Sequence, residues 1–214
     1  MPTEVEAKYR AEGPEPLVAL ATMTRLGEAS LGPARAANEV DRYLDTADGR
    51  LAAALWACRL RSRDGAIRVS LKGPAEAGSG GWLHRRPEVE GPATGSLDPG
   101  RWPASDARAL VDELRGGAAL EERLHLRQRR TERAVLRPGG MERLGTLSLD
   151  AVQIGGDTGR DRELFVVELE LAVPADDEAM HALRDLAEAL ARHPGLEPDP
   201  RTKLEHALEW LGPR

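Results

Sequence analysis

The stretch Glu4-Val5-Glu6-Ala7-Lys8-Tyr9 constrains this chain more than any other. Successive side chains of a strand point to opposite faces, so Glu4, Glu6 and Lys8 share one face while Val5, Ala7 and Tyr9 share the other. A single strand of this kind is an ordinary half-buried strand with its charges in water. The pattern recurs, however, at Arg59/Arg61, Arg68/Ser70/Lys72, Glu88/Glu90, Arg127/Arg129, Ser148/Asp150 and Glu168/Glu170. It also divides by sign, because some strands carry only carboxylates on that face and others mainly guanidinium or ammonium groups.

Between these strands the chain carries helical segments. Glu15 to Leu26 places Leu17, Leu20, Ala21 and Leu26 near helical spacing and stops at Gly27. Ala104 to Leu114, capped by Ser105 or Asp106, and Asp176 to His193, with Met180, Leu183, Leu186, Ala187 and Leu190 on one side, read as further amphipathic helices. Thr202 to Leu211 forms a last helix or helical turn. Ala57 to Arg63 and Ala66 to Lys72 flank Asp64-Gly65, a strong hairpin signal. Strands are also expected over Val40 to Thr46, Trp82 to Glu90, Glu122 to Arg137, Met141 to Ile154 and Glu163 to Val173. A polar, glycine-containing turn joins the last two.

About eight antiparallel strands with three or four helices fit either an open sheet with a wet charged face or a closed barrel with its charges inside. The apolar stripes of the helices favour the barrel, since they need the apolar outer face of the strands as a partner. Closure also removes every strand edge. The expected fold is therefore α+β, an eight-stranded antiparallel closed β-barrel with helices packed outside, in a single domain over residues 1–214. An eight-stranded barrel has room for side chains or one small ligand. Charges inside it must be paired or bound to ions.

The charges suggest what enters. Glu4, Glu6, Asp150, Glu168 and Glu170 supply hard oxygen ligands that suit Mg²⁺ or Mn²⁺. Arg59, Arg61, Lys72 and members of the Arg127 to Arg133 group supply phosphate donors. A formal net charge of −6 argues against nucleic acid as a partner. The single cysteine, Cys58, fits a reducing compartment, and the longest apolar stretch is too short to span a bilayer, so a cytoplasmic protein without membrane contact is expected. The five histidines show no His-x-His or HExxH spacing and suggest no zinc site. Ala75 to Gly81 lacks the Walker spacing and reads as a mobile loop. Trp56 and Trp82 read as packing residues, and Asp45 serves a turn.

Glu4-Val5-Glu6-Ala7-Lys8 matches the Glu-x-Glu-x-Lys signature of the CYTH superfamily, the triphosphate tunnel metalloenzymes, and the resemblance continues along the chain. It takes in Tyr43-Leu44-Asp45-Thr46, Cys58-Arg59-Leu60-Arg61, Ser70-Leu71-Lys72-Gly73, His84-Arg85-Arg86-Pro87-Glu88, Leu149-Asp150, Glu168-Leu169-Glu170 and Thr202-Lys203. Of the group, the chain looks most like the bacterial inorganic triphosphatases. The resemblance implies a tunnel that binds a small linear triphosphate and hydrolyses it with Mg²⁺ or Mn²⁺, as a monomer or homodimer. Inorganic tripolyphosphate is the favoured substrate, with thiamine or nucleoside triphosphate as others. It implies that Glu4, Glu6, Asp150, Glu168 and Glu170, with Glu88 or Glu90, hold metal. Arg59, Arg61, Lys72, Arg130, Lys203 and Lys8 then bind phosphates, and Glu4, Glu6 and Lys8 serve catalysis. Alternation groups Arg127, Arg129 and Arg133 on one face and Arg130 on the other, so Arg129 is the alternative to Arg130 unless a bulge shifts the register. Two other activities share these residues: adenylate cyclisation in the same fold, and non-catalytic binding of polyphosphate or nucleotide.

Overall fold

The computed structural model describes residues 2–76, 81–155 and 162–212. The chain enters through β1 (Thr3–Ala11), α1 (Glu15–Thr22), the short strands β2 (Arg25–Leu26) and β3 (Ala29–Leu31), and β4 (Arg35–Thr46). After α2 (Arg50–Ala53) it forms β5 (Ala57–Arg63), β6 (Ala66–Lys72) and β7 (Leu83–Pro92), then α3 (Asp106–Arg115) and the long β8 (Leu120–Leu136). It ends with β9 (Arg143–Ile154), β10 (Arg162–Leu171), α4 (Asp177–Ala191), β11 (Leu196–Pro198) and α5 (Lys203–Leu211). Positive φ at Asp64 (50°) and Gly65 (80°) makes the tight β5–β6 turn that the Asp-Gly pair predicts. Gly78, Ser79, Gly80 and the 156–161 part of the β9–β10 turn lie outside the described residues.

Eight strands close on themselves in the order β8-β4-β5-β6-β7-β1-β10-β9, and β9 pairs back onto β8. Every pairing is antiparallel, and the seam sets Arg130 opposite Asp150. β2 and β3 extend the far end of β8, while β11 pairs with β1 outside the barrel. The fold is the closed eight-stranded barrel expected, with three extra short strands and helices outside it.

Alternation sorts the core. Outward residues of β1, β9 and β10, among them Val5, Ala7, Tyr9, Leu149 and Leu169, pack under α1 and α4 through Leu20, Leu183, Leu186 and Leu190. On the opposite wall Cys58, Leu60, Val69, Leu71 and Val89 lie under α2, α3 and Trp102. Each fully buried leucine contributes about 1.5–3 kcal/mol relative to exposure. A third cluster is inside the barrel. Tyr43, Leu124, Leu126, Val152, Ile154, Leu164 and Val166 fill one end of the lumen and meet Ala207 of α5, which covers that end. Among the described residues, no helix is long and apolar enough to cross a membrane.

One local expectation needs correction, and two segments form elements that were not expected. The first helix stops at Thr22, not Leu26, and Arg25–Leu26 and Ala29–Leu31 form a small hairpin. Arg133 explains the stop. Its buried guanidinium donates to the carbonyls of Leu20, Ala21 and Met23 at the helix end and to those of Leu31 and Gly32, which takes up acceptors that another helical turn would have used. Leu196–Pro198, not among the expected strands, pairs with β1. The Ala-rich run after Gly49 is the short α2, held by Asp45, whose carboxylate accepts from the backbone N–H groups of Leu51 and Ala52.

Candidate functional site

Inward positions of β1 place Glu4, Glu6 and Lys8 in the lumen, all three buried. Glu4 lies near the open end. Lys72 Nζ from β6 is 2.5 Å from its Oε1 and Arg86 Nε from β7 is 2.9 Å from its Oε2. Carboxylate oxygens of Glu4, Glu88 and Glu170 lie within 4.8 Å of one another. Lys72 Nζ also comes within 3.5 Å of Glu88. Glu90 stands further out and pairs with Arg68 at 3.4 Å.

Deeper in the lumen the charges interlock. Arg130 of β8 donates to both oxygens of Asp150 at 2.8 and 2.6 Å and to Glu168 at 2.9 Å. Lys203, the first residue of α5, reaches Asp150 at 2.6 Å and Glu168 at 2.8 Å. Lys8 Nζ donates to the carbonyl of Arg201 at 2.6 Å and lies 4.0 Å from Glu168. On the facing wall Asp41 of β4 accepts a two-pronged contact from Arg61, with both distances 2.7 Å, and a further one from Arg59 at 3.2 Å. Asp41 thereby fixes both forks and leaves each guanidinium with unused donors.

These partners set the protonation of the acids. Burial raises Glu4, but the Lys72 and Arg86 cations outweigh it and hold the carboxyl at about 2. Glu6 is pushed up to about 7 by burial and by the Glu4 and Glu168 charges. Glu170, whose outer edge is exposed, is pushed up to about 7 by desolvation against the tunnel wall and by Glu4. Burial likewise raises Glu88 against the pull of Lys72. Asp150 and Glu168 go the other way, because Arg130 and Lys203 overcome their burial. Burial lowers the Lys8 ammonium.

The sequence-derived residues thus fall into distinct places. A cavity of about 200 Å³ is lined by Glu4, Lys8, Arg59, Lys72, Glu88, Glu90, Arg130, Glu168, Glu170 and Lys203. Glu6 and Asp150 stand behind that lining, and Arg61 faces an adjoining space with Arg63 and Arg68. Arg129 is outside. Pairing between β4 and β8 is regular from Arg35 to Tyr43, so the inward face of β8 carries Gln128, Arg130 and Glu132 while Arg129 is exposed. No bulge is needed to turn Arg130 inward. The face shared by Arg127 and Arg129 is the outer one.

Sequence reasoning missed Arg86 and Asp41. Both were within reach: Arg86 is two residues before Glu88 on the same strand face, and Asp41 is two before Tyr43. A further signal lay in the composition. Of 30 basic residues only three are lysine, and Lys8, Lys72 and Lys203 all line this cavity.

The oxygen-only group of Glu4, Glu88 and Glu170 suits a hard divalent cation, which would offset the burial, and the lesser repulsion from Glu4, that raise the Glu88 and Glu170 carboxyls. Asp150 and Glu168 already hold two internal cations. A closed antiparallel barrel with acids at one end of its lumen and cations beside them forms a tunnel with a charged lining. The chain belongs to the CYTH domain family, which it matches over residues 2–207. Among solved structures, HpAC1 from Hippeastrum, described as a candidate adenylyl cyclase with a dominant triphosphatase activity, is 22% identical with a TM-score of 0.65, covering 94% of this chain and 93% of that one. A Bacillus halodurans protein described as a candidate adenylate cyclase is 17% identical with a TM-score of 0.61, over 96% of this chain and 98% of that one. The PH1819 protein from Pyrococcus horikoshii OT3 is 19% identical with a TM-score of 0.56, over 96% and 99%. At these identities the likeness is one of fold. No curated protein matches the sequence significantly.

Proposed function

We propose that this protein hydrolyses a linear triphosphate with the help of a divalent metal ion, acting as one CYTH unit, and that inorganic tripolyphosphate is its substrate. One observation carries the reading: a single cavity of about 200 Å³ joins the Glu4, Glu88 and Glu170 oxygens to Arg59, Arg130, Lys8, Lys72 and Lys203. Such a space suits a compact polyanion better than a nucleotide. Tyr43 is the one aromatic among its described lining residues, so a base or thiazole ring finds little to stack on.

In this reading Glu4, Glu88 and Glu170 hold Mg²⁺ or Mn²⁺, with Glu6 behind them and Glu90 at the rim. The metal, when bound, supplies charge neutralisation on phosphate oxygens and a polarised water. Arg59, held by Asp41, and Arg130, held by Asp150 and Glu168, present their remaining N–H donors to the inner phosphates in orientations already set. Lys72, which reaches Glu4 and Glu88 at the edge of that acid group, would bind a terminal phosphate. Lys8 and Lys203 lie where negative charge grows on the leaving pyrophosphate, and fixed cations there stabilise the transition state with little reorganisation. Barrel walls exclude bulk water on every side but the open end.

The test is product analysis with tripolyphosphate, thiamine triphosphate and ATP, in Mg²⁺, Mn²⁺ or EDTA, beside Glu4→Gln. Metal-dependent phosphate release from tripolyphosphate that falls by about 10²-fold or more in the variant is expected. Cyclic AMP with pyrophosphate from ATP would make the protein a cyclase, and tight binding without turnover a binding module.

A further inference from the structure

The turn between β11 and α5 is tied to the barrel through one buried acid, Asp199. Its N–H donates to the carbonyl of Lys8 at 3.1 Å, and its own carbonyl is 2.9 Å from His84 Nε2. Its Oδ2 accepts from His206 Nε2 on α5 at 2.7 Å, and its Oδ1 from the N–H of Arg201 at 3.1 Å. The carbonyl of Arg201, placed by that contact, accepts from Lys8 Nζ at 2.6 Å. Two residues later Lys203 enters the lumen and reaches Asp150 and Glu168. Asp199 therefore links the backbone of one tunnel lysine, the side chain of that same lysine and the helix that carries a second.

Helix formation does not require this arrangement. Thr202 and Glu205 already form a reciprocal capping box at the start of α5, and Arg201 pairs with Glu209 at 2.6 Å on the outside. Yet Asp199 and His206 are 3% and 1% exposed. Burying a carboxylate costs several kcal/mol unless its contacts offset it. Here all of them converge on the segment that sets Lys8 and Lys203.

We propose that Asp199, held by His206, is a positioning residue that fixes the Lys8 and Lys203 ammonium groups around Glu168. Its kinetic arm rests on the triphosphatase reading, whereas its structural arm does not. Asp199→Asn and His206→Leu are prepared as full-length proteins and studied below their melting temperatures. Acetylation of Lys8, Lys72 and Lys203 in the native proteins is followed by mass spectrometry, and kcat and KM are measured on tripolyphosphate. The expected result is labelling of Lys8 and Lys203 about fivefold faster or more in both variants, with Lys72 unchanged. A fall in kcat of about tenfold should accompany a KM change below about twofold. Labelling of Lys8 and Lys203 at the wild-type rate in either folded variant overturns the proposal, and so does equal acceleration at all three lysines, which would mean general loosening. If the wild type does not hydrolyse tripolyphosphate, the functional reading fails, and the labelling pattern still decides the role of Asp199.

Discussion

Arg129 and Arg130 are adjacent in sequence and opposite in consequence. Arg130 holds Asp150, which is fully buried, and Arg129 faces solvent. Removing Arg130 leaves an acid with one cation fewer in a low-dielectric site, so Arg130→Ala is expected to cost about 3–5 kcal/mol. Arg129→Ala should stay within about 0.5 kcal/mol. Urea unfolding of the two variants checks both values. The metal-free protein should also show the raised carboxyl of Glu6. With its folded pKa near 7 and an ordinary value of 4.5 when unfolded, the native state binds more protons between those limits. Its contribution to stability therefore falls as pH rises from about 4.5 to 7. Melting in EDTA should show a decline of roughly 1–3 kcal/mol across that window at this site, and Glu6→Gln should reduce the slope, leaving the share that comes from Glu170 and Glu88. Period-two spacing made the shared face of Glu4, Glu6 and Lys8 readable from sequence. The family resemblance favoured Arg130 over Arg129, but alternation alone could not choose, because it separates two faces without saying which is inside. Only the seam, where Arg130 meets Asp150, decides that.

At the level of elements, hairpins and amphipathic helices were legible wherever a local signal sufficed. Asp64-Gly65 gave its turn, and the leucine spacing of 176–193 gave α4 to within two residues. What escaped was set by distant partners. α1 ends early because a guanidinium from β8, more than a hundred residues away, takes its last carbonyls. β11 exists because β1 offers it an edge. The cover over one end of the barrel depends on where α5 docks, which its own sequence does not state. Gly145 is another long-range case: a Cβ there would stand 2.4 Å from the carbonyl oxygen of Glu170. Gly145→Ala must push β9 away from the strand bearing Glu170. A loss of about 1–3 kcal/mol is expected, together with weaker Mn²⁺ binding by calorimetry than in wild type.

For the whole molecule, closure turns a sheet with a charged face into a tunnel with a charged lining. An open sheet would have left Glu4, Asp150 and Glu168 in water, with pairings worth about 0–1 kcal/mol each. Inside the barrel the same groups depend on one another, and their pKa values separate. The family pattern spans residues 2–207, and residues from nearly every barrel strand, with Lys203 beyond them, contribute to the lining. The distribution of lysine has a practical outcome for handling the protein. With Lys8, Lys72 and Lys203 all turned into the lumen, a protease that cuts only after lysine finds its three target bonds held in β1, at the end of β6 and in the helix that covers one end of the barrel. The folded chain presents to such an enzyme an outer surface of arginine and acid, and cleavage into four pieces becomes a measure of how often the barrel opens.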